Sequence, residues 1–101
     1  FVVTNLINYP NPFEGETRIT AEHNRPDNEF HITLKIFSLD WRIIKIIKTN
    51  VSTSGFVLPP VVWDGSVEGG ERAGNGVYPY SVTIKTDNGE TAITYGKMII
   101  L

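Results

Sequence analysis

Apolar and polar residues alternate with a period of two along much of this chain, and no other feature narrows its fold as far. Thr17, Ile19, Ala21 and His23 share one side of a run whose other side carries Arg18, Thr20 and Glu22. Ile32, Leu34 and Ile36 alternate with Thr33, Lys35 and Phe37, and Tyr78, Tyr80, Val82 and Ile84 with Pro79, Ser81, Thr83 and Lys85. Successive side chains of a strand point to opposite faces, so this is the signature of half-buried antiparallel strands. About seven are predicted, over residues 3–9, 16–23, 30–38, 42–49, 57–63, 77–86 and 91–101.

Turn chemistry separates them. Pro10-Asn11-Pro12 ends the first ladder, because proline has no N–H to donate. Asn24 to Asn28 forms a loop, and residues 65–76 hold five of the nine glycines. Asp87-Asn88-Gly89 predicts a tight hairpin of type I′, since Asn-Gly tolerates positive φ. Ile43, Ile44, Ile46 and Ile47 also fit a helical stripe, but four β-branched residues between turns favour a strand. Pro59-Pro60 should break the next strand or place it at an edge. Pro79 conflicts with its strand unless its position needs no ladder donor. Many short strands and no long helix give an all-β, two-sheet sandwich or barrel, with Trp63, Tyr78, Tyr80 and Phe37 in the core or at its margins.

The bulk composition excludes more than it assigns. With 101 residues, 41% of them hydrophobic and 20% charged, the chain suits one globular domain. A net charge of -2 argues against a nucleic-acid binder, which needs a basic surface. The absence of cysteine removes disulfides, thiolate metal sites and a cysteine nucleophile. No apolar run approaches the about 18 residues of a spanning helix. No signal peptide is visible and the chain begins at Phe1, so it reads as a fragment whose upstream part, with any signal peptide, lies outside it.

Candidate chemistry is sparse. His23 and His31 are the only histidines, and no nucleophile elbow supplies a hydrolytic partner. His23 continues an apolar face and reads as a strand-end residue. Asp64-Gly65-Ser66-Val67-Glu68-Gly69 has oxygen donors spaced as in a calcium loop, but the closing position falls on Asn75, which lacks a carboxylate. A solvated hairpin loop is the simpler expectation, and no metal or cofactor is assigned. The glycines of 65–76 precede a strand rather than a helix, so they are turn glycines and not a phosphate cradle. Asn50-Val51-Ser52 is a formal glycosylation acceptor, expected by chance. Lys97-Met98-Ile99-Ile100-Leu101 is the sharpest candidate. It predicts a last strand with Met98 and Ile100 on one face and Lys97, Ile99 and Leu101 on the other. Such a strand is either buried on both sides or open to a partner by strand addition.

Five motifs in fixed order carry a resemblance. Tyr9-Pro10-Asn11-Pro12-Phe13, then Ile36-Phe37-Ser38-Leu39-Asp40 with Arg42-Ile43-Ile44, Trp63-Asp64-Gly65, Gly76-Val77-Tyr78 and Lys97 to Leu101 resemble the C-terminal sorting domains of the type IX secretion system of Bacteroidetes. Those domains are similar to the immunoglobulin-like domain of the flagellar hook-capping protein. The resemblance covers nearly the whole chain and implies a single immunoglobulin-like antiparallel sandwich over residues 1–101. His23-Asn24-Arg25-Pro26 followed by the Phe30 to Ile36 strand narrows it to the C-terminal domain of that system's gingipain-family cysteine-peptidase sortase. A catalytic Cys and His would then lie in upstream domains, and this segment would not be catalytic. The implied partners are the type IX translocon, an outer-membrane shuttle β-barrel and the upstream domains, at the cell surface or in the medium after export.

Trp41 departs from the family pattern, which has Gly or Asn in that turn. A bulky side chain makes positive φ there unexpected, and an exposed Trp41 would suit a binding hot spot or pack over its hairpin. The expected partner-binding residues are Lys97, Met98, Ile99, Ile100 and Leu101, with Gly76 and Tyr78 shaping the neighbouring strand, and Trp41. Two other readings compete with sorting and docking: a structural spacer of the hook-cap kind, and a carbohydrate or adhesion module using Trp41, Phe37 and Tyr95.

Overall fold

The computed structural model describes residues 1–101 as an all-β sandwich of seven strands: β1 (Val3–Tyr9), β2 (Thr17–His23), β3 (Asn28–Phe37), β4 (Ile43–Thr53), β5 (Val61–Trp63), β6 (Gly76–Thr86) and β7 (Thr91–Ile100). A three-stranded sheet ordered β1-β2-β5 faces a four-stranded sheet ordered β4-β3-β6-β7, and every pairing is antiparallel.

The alternation read from the sequence is the alternation that packs. Ile19, Ala21, Val61 and Trp63 point inward from the smaller sheet, against Phe30, Ile32, Leu34, Ile36, Val82 and Ile84 from the larger. Trp63 is the largest fully buried side chain. It meets Phe13 edge-on at 5.7 Å between ring centroids and Tyr78 at 6.1 Å, so aromatic area joins the two sheets. Tyr80 spans the core: its hydroxyl donates to Asn8 Oδ1 of β1 at 3.2 Å, and burial pushes the phenol up to about 12, keeping it a donor. Its ring lies close against Gly96, where a Cβ would come within 2.6 Å of it.

Several expectations change in detail. The isoleucine-rich segment is strand, paired with β3 from Ile43 to Thr53, because Ile47 and Val51 lie opposite Leu34 and Phe30 and continue the inward face. The strand expected from residue 57 keeps only Val61–Trp63 after the two prolines. Asp87-Asn88-Gly89 is a three-residue loop rather than a type I′ turn: among these residues only Gly89 has positive φ, at 91°. Its N–H reaches Thr86 O at 3.0 Å, and the Thr86 N–H reaches Glu90 O at 2.8 Å, which is a turn closed by a glycine bulge. Pro79 sits where β6 has one neighbour. The β3–β6 ladder stops at Ile36 and Tyr80, leaving Pro79 opposite only Lys97 of β7.

The edges of the sheets are partly closed from within, which limits pairing with other chains. β1 is bulged between Thr4 and Ile7, with Asn5 at φ 54°. On β4, Glu68 covers the free edge: its Oε1 accepts the Ile46 N–H at 2.6 Å, and its own N–H donates to Ile44 O at 3.0 Å. The glycine-rich segment is therefore held on that edge. Arg72 fastens it further, donating to Asp64 O at 2.8 Å and Gly15 O at 3.0 Å. The oxygens that resembled a calcium loop have local work: Asp64 Oδ1 accepts from the Ser66 amide and hydroxyl.

Candidate docking surface

The terminal strand has one buried and one outward face. Met98 and Ile100 are fully enclosed, and Lys97, Ile99 and Leu101 are exposed. Its outer edge is neither buried on both sides nor open along these residues. The segment between β1 and β2 lies along it as a strap. Phe13 N–H donates to Ile99 O at 3.0 Å and Leu101 N–H to Phe13 O at 2.9 Å, a parallel bridge between Phe13 and Ile100. Asn11 extends it with its side chain, accepting the Ile99 N–H at 3.0 Å and donating to Lys97 O at 3.2 Å. The flanking prolines have no N–H, so the Asn11 amide supplies a donor and acceptor pair in place of backbone. This role was missed in the sequence, where the motif read as a strand breaker and as a mark of the resemblance. With Lys97 O, both Ile99 groups and the Leu101 N–H taken by the strap, what a partner chiefly meets there is the side chains of Lys97, Ile99 and Leu101, with Val77 opposite Ile99.

Gly76 and Tyr78 lie on the adjoining strand but serve the fold. Gly76 faces Ile100 at φ 153°, a conformation only glycine adopts readily. The half-buried Tyr78 packs on Trp63, and its hydroxyl donates to Gly74 O at 2.7 Å.

Trp41 overturns the expectation set by its bulk. Its φ is 64°, in the left-handed region. The β3–β4 loop has the same pattern as the β6–β7 loop: Trp41 N–H reaches Ser38 O and Ser38 N–H reaches Arg42 O, both at 2.9 Å. Trp41 thus holds the place that Gly89 holds in the other hairpin. Around it Asp40 accepts from the Ser38 hydroxyl and from Arg42 Nε, and these contacts, the Ser38 hydroxyl first, lower its carboxyl pKa. The indole stays 67% exposed and meets Phe37 edge-on at 5.8 Å. With Pro79, Tyr95, Gly96 and Lys97 it lines an open cleft of about 390 Å³ on the outer face of the larger sheet. Two of the expected residues, Trp41 and Lys97, therefore meet in one place, while Met98 and Ile100 belong to the core. Tyr95, 72% exposed, completes the cleft.

The residues of the His23-Asn24-Arg25-Pro26 motif tie one end of the sandwich together. His23 is buried, with Nδ1 accepting the Arg25 N–H at 3.1 Å. That leaves the proton on Nε2, which donates to Thr53 Oγ1 at 3.2 Å. Burial lowers its pKa, so it is a neutral core residue. Asn24 Oδ1 accepts the Val2 N–H at 2.9 Å. Arg25 forks onto Glu90 at 3.1 and 2.7 Å, and this contact is the main cause that holds the Glu90 carboxyl down to about 2. His31 is exposed and bonded to Asn50 Oδ1 at 2.7 Å and Asp87 Oδ1 at 3.0 Å. These two acceptors, Asn50 first, raise its pKa.

No protein-family model matches the chain, and no curated protein does. Among solved structures the fold matches dimeric latent PorU from Porphyromonas gingivalis, with a TM-score of 0.82 and 23% sequence identity. The match covers 99% of this chain and 9% of that one, so the chain spans a small part of that protein's length. At this identity the likeness is one of fold: the sandwich described above recurs, essentially whole, as a portion of PorU.

Proposed function

We propose that this chain is a non-catalytic sorting and docking domain of a type IX-secreted protein, related to the cell-surface cysteine-peptidase sortase of that system. It would engage the translocon and an outer-membrane shuttle barrel, and any peptidase chemistry would belong to other domains of the parent protein. The observation that carries this reading is the fold likeness to PorU over nearly the entire chain. The five ordered motifs support it, because each falls at a joint of the fold: the strap, the β3–β4 hairpin, the Trp63 anchor, the start of β6 and the last strand.

The partner-facing residues in this reading are Lys97, Ile99 and Leu101. Met98 and Ile100 act indirectly by seating the strand. Deleting 97–101 is consequently a poor test, because it removes two buried side chains at about 2–5 kcal/mol each. Charge-reversing and polar substitutions on the outward face (Lys97→Glu, Ile99→Ser, Leu101→Ser) leave the core alone.

The test is localisation. Residues 1–101 fused behind a periplasmically targeted fluorescent protein should reach the surface or medium in type IX-competent cells and stay in the periplasm without the translocon. The outward-face substitutions should trap the fusion. Trapping in both strains, with the fusion folded, would exclude an autonomous sorting signal and leave a structural spacer or an anchor that needs its upstream domains. The internally covered edges are what favour that second reading, since a spacer needs no free backbone.

A further inference from the structure

The outer face of the larger sheet has a charge pattern that the terminal strand does not explain. Lys35, Lys48, Lys85 and Lys97 stand on it, since each alternates with an inward position or lies opposite an outward one. None of the ion pairs in the domain involves a lysine; their cations are the terminal amine, Arg18, Arg25, His31 and Arg42. The carboxylates nearby are already engaged: Asp40, next to Trp41, is paired with Arg42 and bonded to Ser38, and at the far end Asp87 is bonded to His31 while Glu29 acts on the same imidazole. A domain of net charge -2 thus presents one face of unpaired positive charge, with the Trp41–Tyr95 cleft set into it.

The cleft is lined by two exposed rings, Pro79, Gly96 and Lys97, with Tyr80 beneath. Gly96 bears no side chain because the buried Tyr80 ring lies where its Cβ would stand. A left-handed residue with a large side chain carries a conformational cost that glycine would avoid, yet the side chain held there is mostly exposed. Its one aromatic contact within the fold is Phe37. Exposed Trp and Tyr are among the residues most enriched at protein-binding hot spots, and the lysines around them favour an acidic partner. The lining has no carboxylate or side-chain amide to take the hydroxyl protons of a sugar, which disfavours a neutral glycan.

We propose that the cleft between Trp41 and Tyr95 binds an acidic protein segment carrying a proline or aromatic side chain. The ring of that side chain enters between Trp41 and Tyr95 over Pro79, and Lys97 and Lys35 meet the flanking carboxylates. The site shares only Lys97 with the terminal-strand surface and does not depend on the sorting role.

The two tryptophans make the test direct, because Trp63 is 1% exposed and Trp41 is 67% exposed. Emission from Trp41 is followed during titration with a synthetic peptide of Glu residues interspersed with Pro and Tyr. A second peptide has Lys in place of Glu, and oligogalacturonate serves as an acidic sugar. The Glu peptide should perturb the exposed emission with an affinity that falls as salt rises. Tyr95→Ala should weaken it about ten-fold or more. Trp41→Gly keeps the left-handed backbone, so it folds; amide shifts at Gly96 and Lys97 on adding the Glu peptide should then vanish. No response, an equal response to the Lys peptide, or shifts confined to Ile99 and Leu101 would overturn the proposal. A response to oligogalacturonate alone would replace it with a sugar site.

Discussion

Trp41 and Gly89 sit at equivalent points of two hairpin loops, and that pairing gives a prediction at the scale of one residue. Non-glycine residues in the left-handed region cost roughly 1–2 kcal/mol, and the Phe37 contact of Trp41 offsets part of it. Trp41→Gly is expected to raise stability by about 0.5–1 kcal/mol, measured by urea denaturation. A loss of stability would mean that the indole packs more firmly than its exposure indicates. Gly96→Ala should act the other way. Its Cβ would meet the Tyr80 ring, which is fixed by the bond to Asn8, so a loss of about 1–3 kcal/mol is expected in the same assay. The sequence showed Trp41 as anomalous for its turn but not its φ, because that angle follows from the Ser38 to Arg42 bonding of a completed hairpin. It gave no sign of the need for Gly96, which depends on a ring two strands' worth of chain away in sequence and directly opposite in space.

Among elements, the strap from Tyr9 to Phe13 matters most. Asn11→Ala removes two bonds to the last strand and is expected to cost about 1 kcal/mol. The more telling readout is local: the Ile99 amide should exchange hydrogen faster, while amides in the middle of β3 and β6 keep their protection. Unchanged exchange at Ile99 would show that the strap adds nothing to the edge. The strands themselves were largely legible, since a sheet with one buried face writes its alternation into the chain. β3 and β6, central in the larger sheet, were read almost to their ends. β4 was cut short at residue 49, because on an edge strand polar residues such as Asn50 and Ser52 interleave with Val51 and dilute the signal. The edge closure by Glu68 and Asn11 was not legible, because it uses single side chains that look like loop residues until the sheets assemble.

For the molecule as a whole, stability should depend on pH through groups that pull in opposite directions. The Glu90 carboxyl, depressed from 4.5 to about 2, favours the folded state above its unfolded pKa, and that contribution fades as pH falls through the folded value. Glu90→Gln should therefore flatten the acid limb of a stability profile between those values. His31 has a raised pKa. Its contribution is complete below 6.5 and is lost as pH rises through its folded value. His23 is lowered by burial, so its neutral form favours folding above 6.5 and the benefit declines as pH falls. His31→Gln should remove the loss on the alkaline side, and thermal melts across the range would show it. A profile unchanged by either substitution would mean that these surface pairs are screened in solution.

The strap has a consequence in time as well as in space. Its bonds join residues 86 and 88 positions apart. Residues near the beginning of this domain therefore wait for the final strand before they can settle. During synthesis, at roughly 5–20 residues per second, the first two strands emerge several seconds before the partner that seals them. Contacts of such long sequence separation also make folding slow. The interval leaves a β-rich chain open to capture by a chaperone or a channel, and it ends only when residues 97–101 pair with the strap.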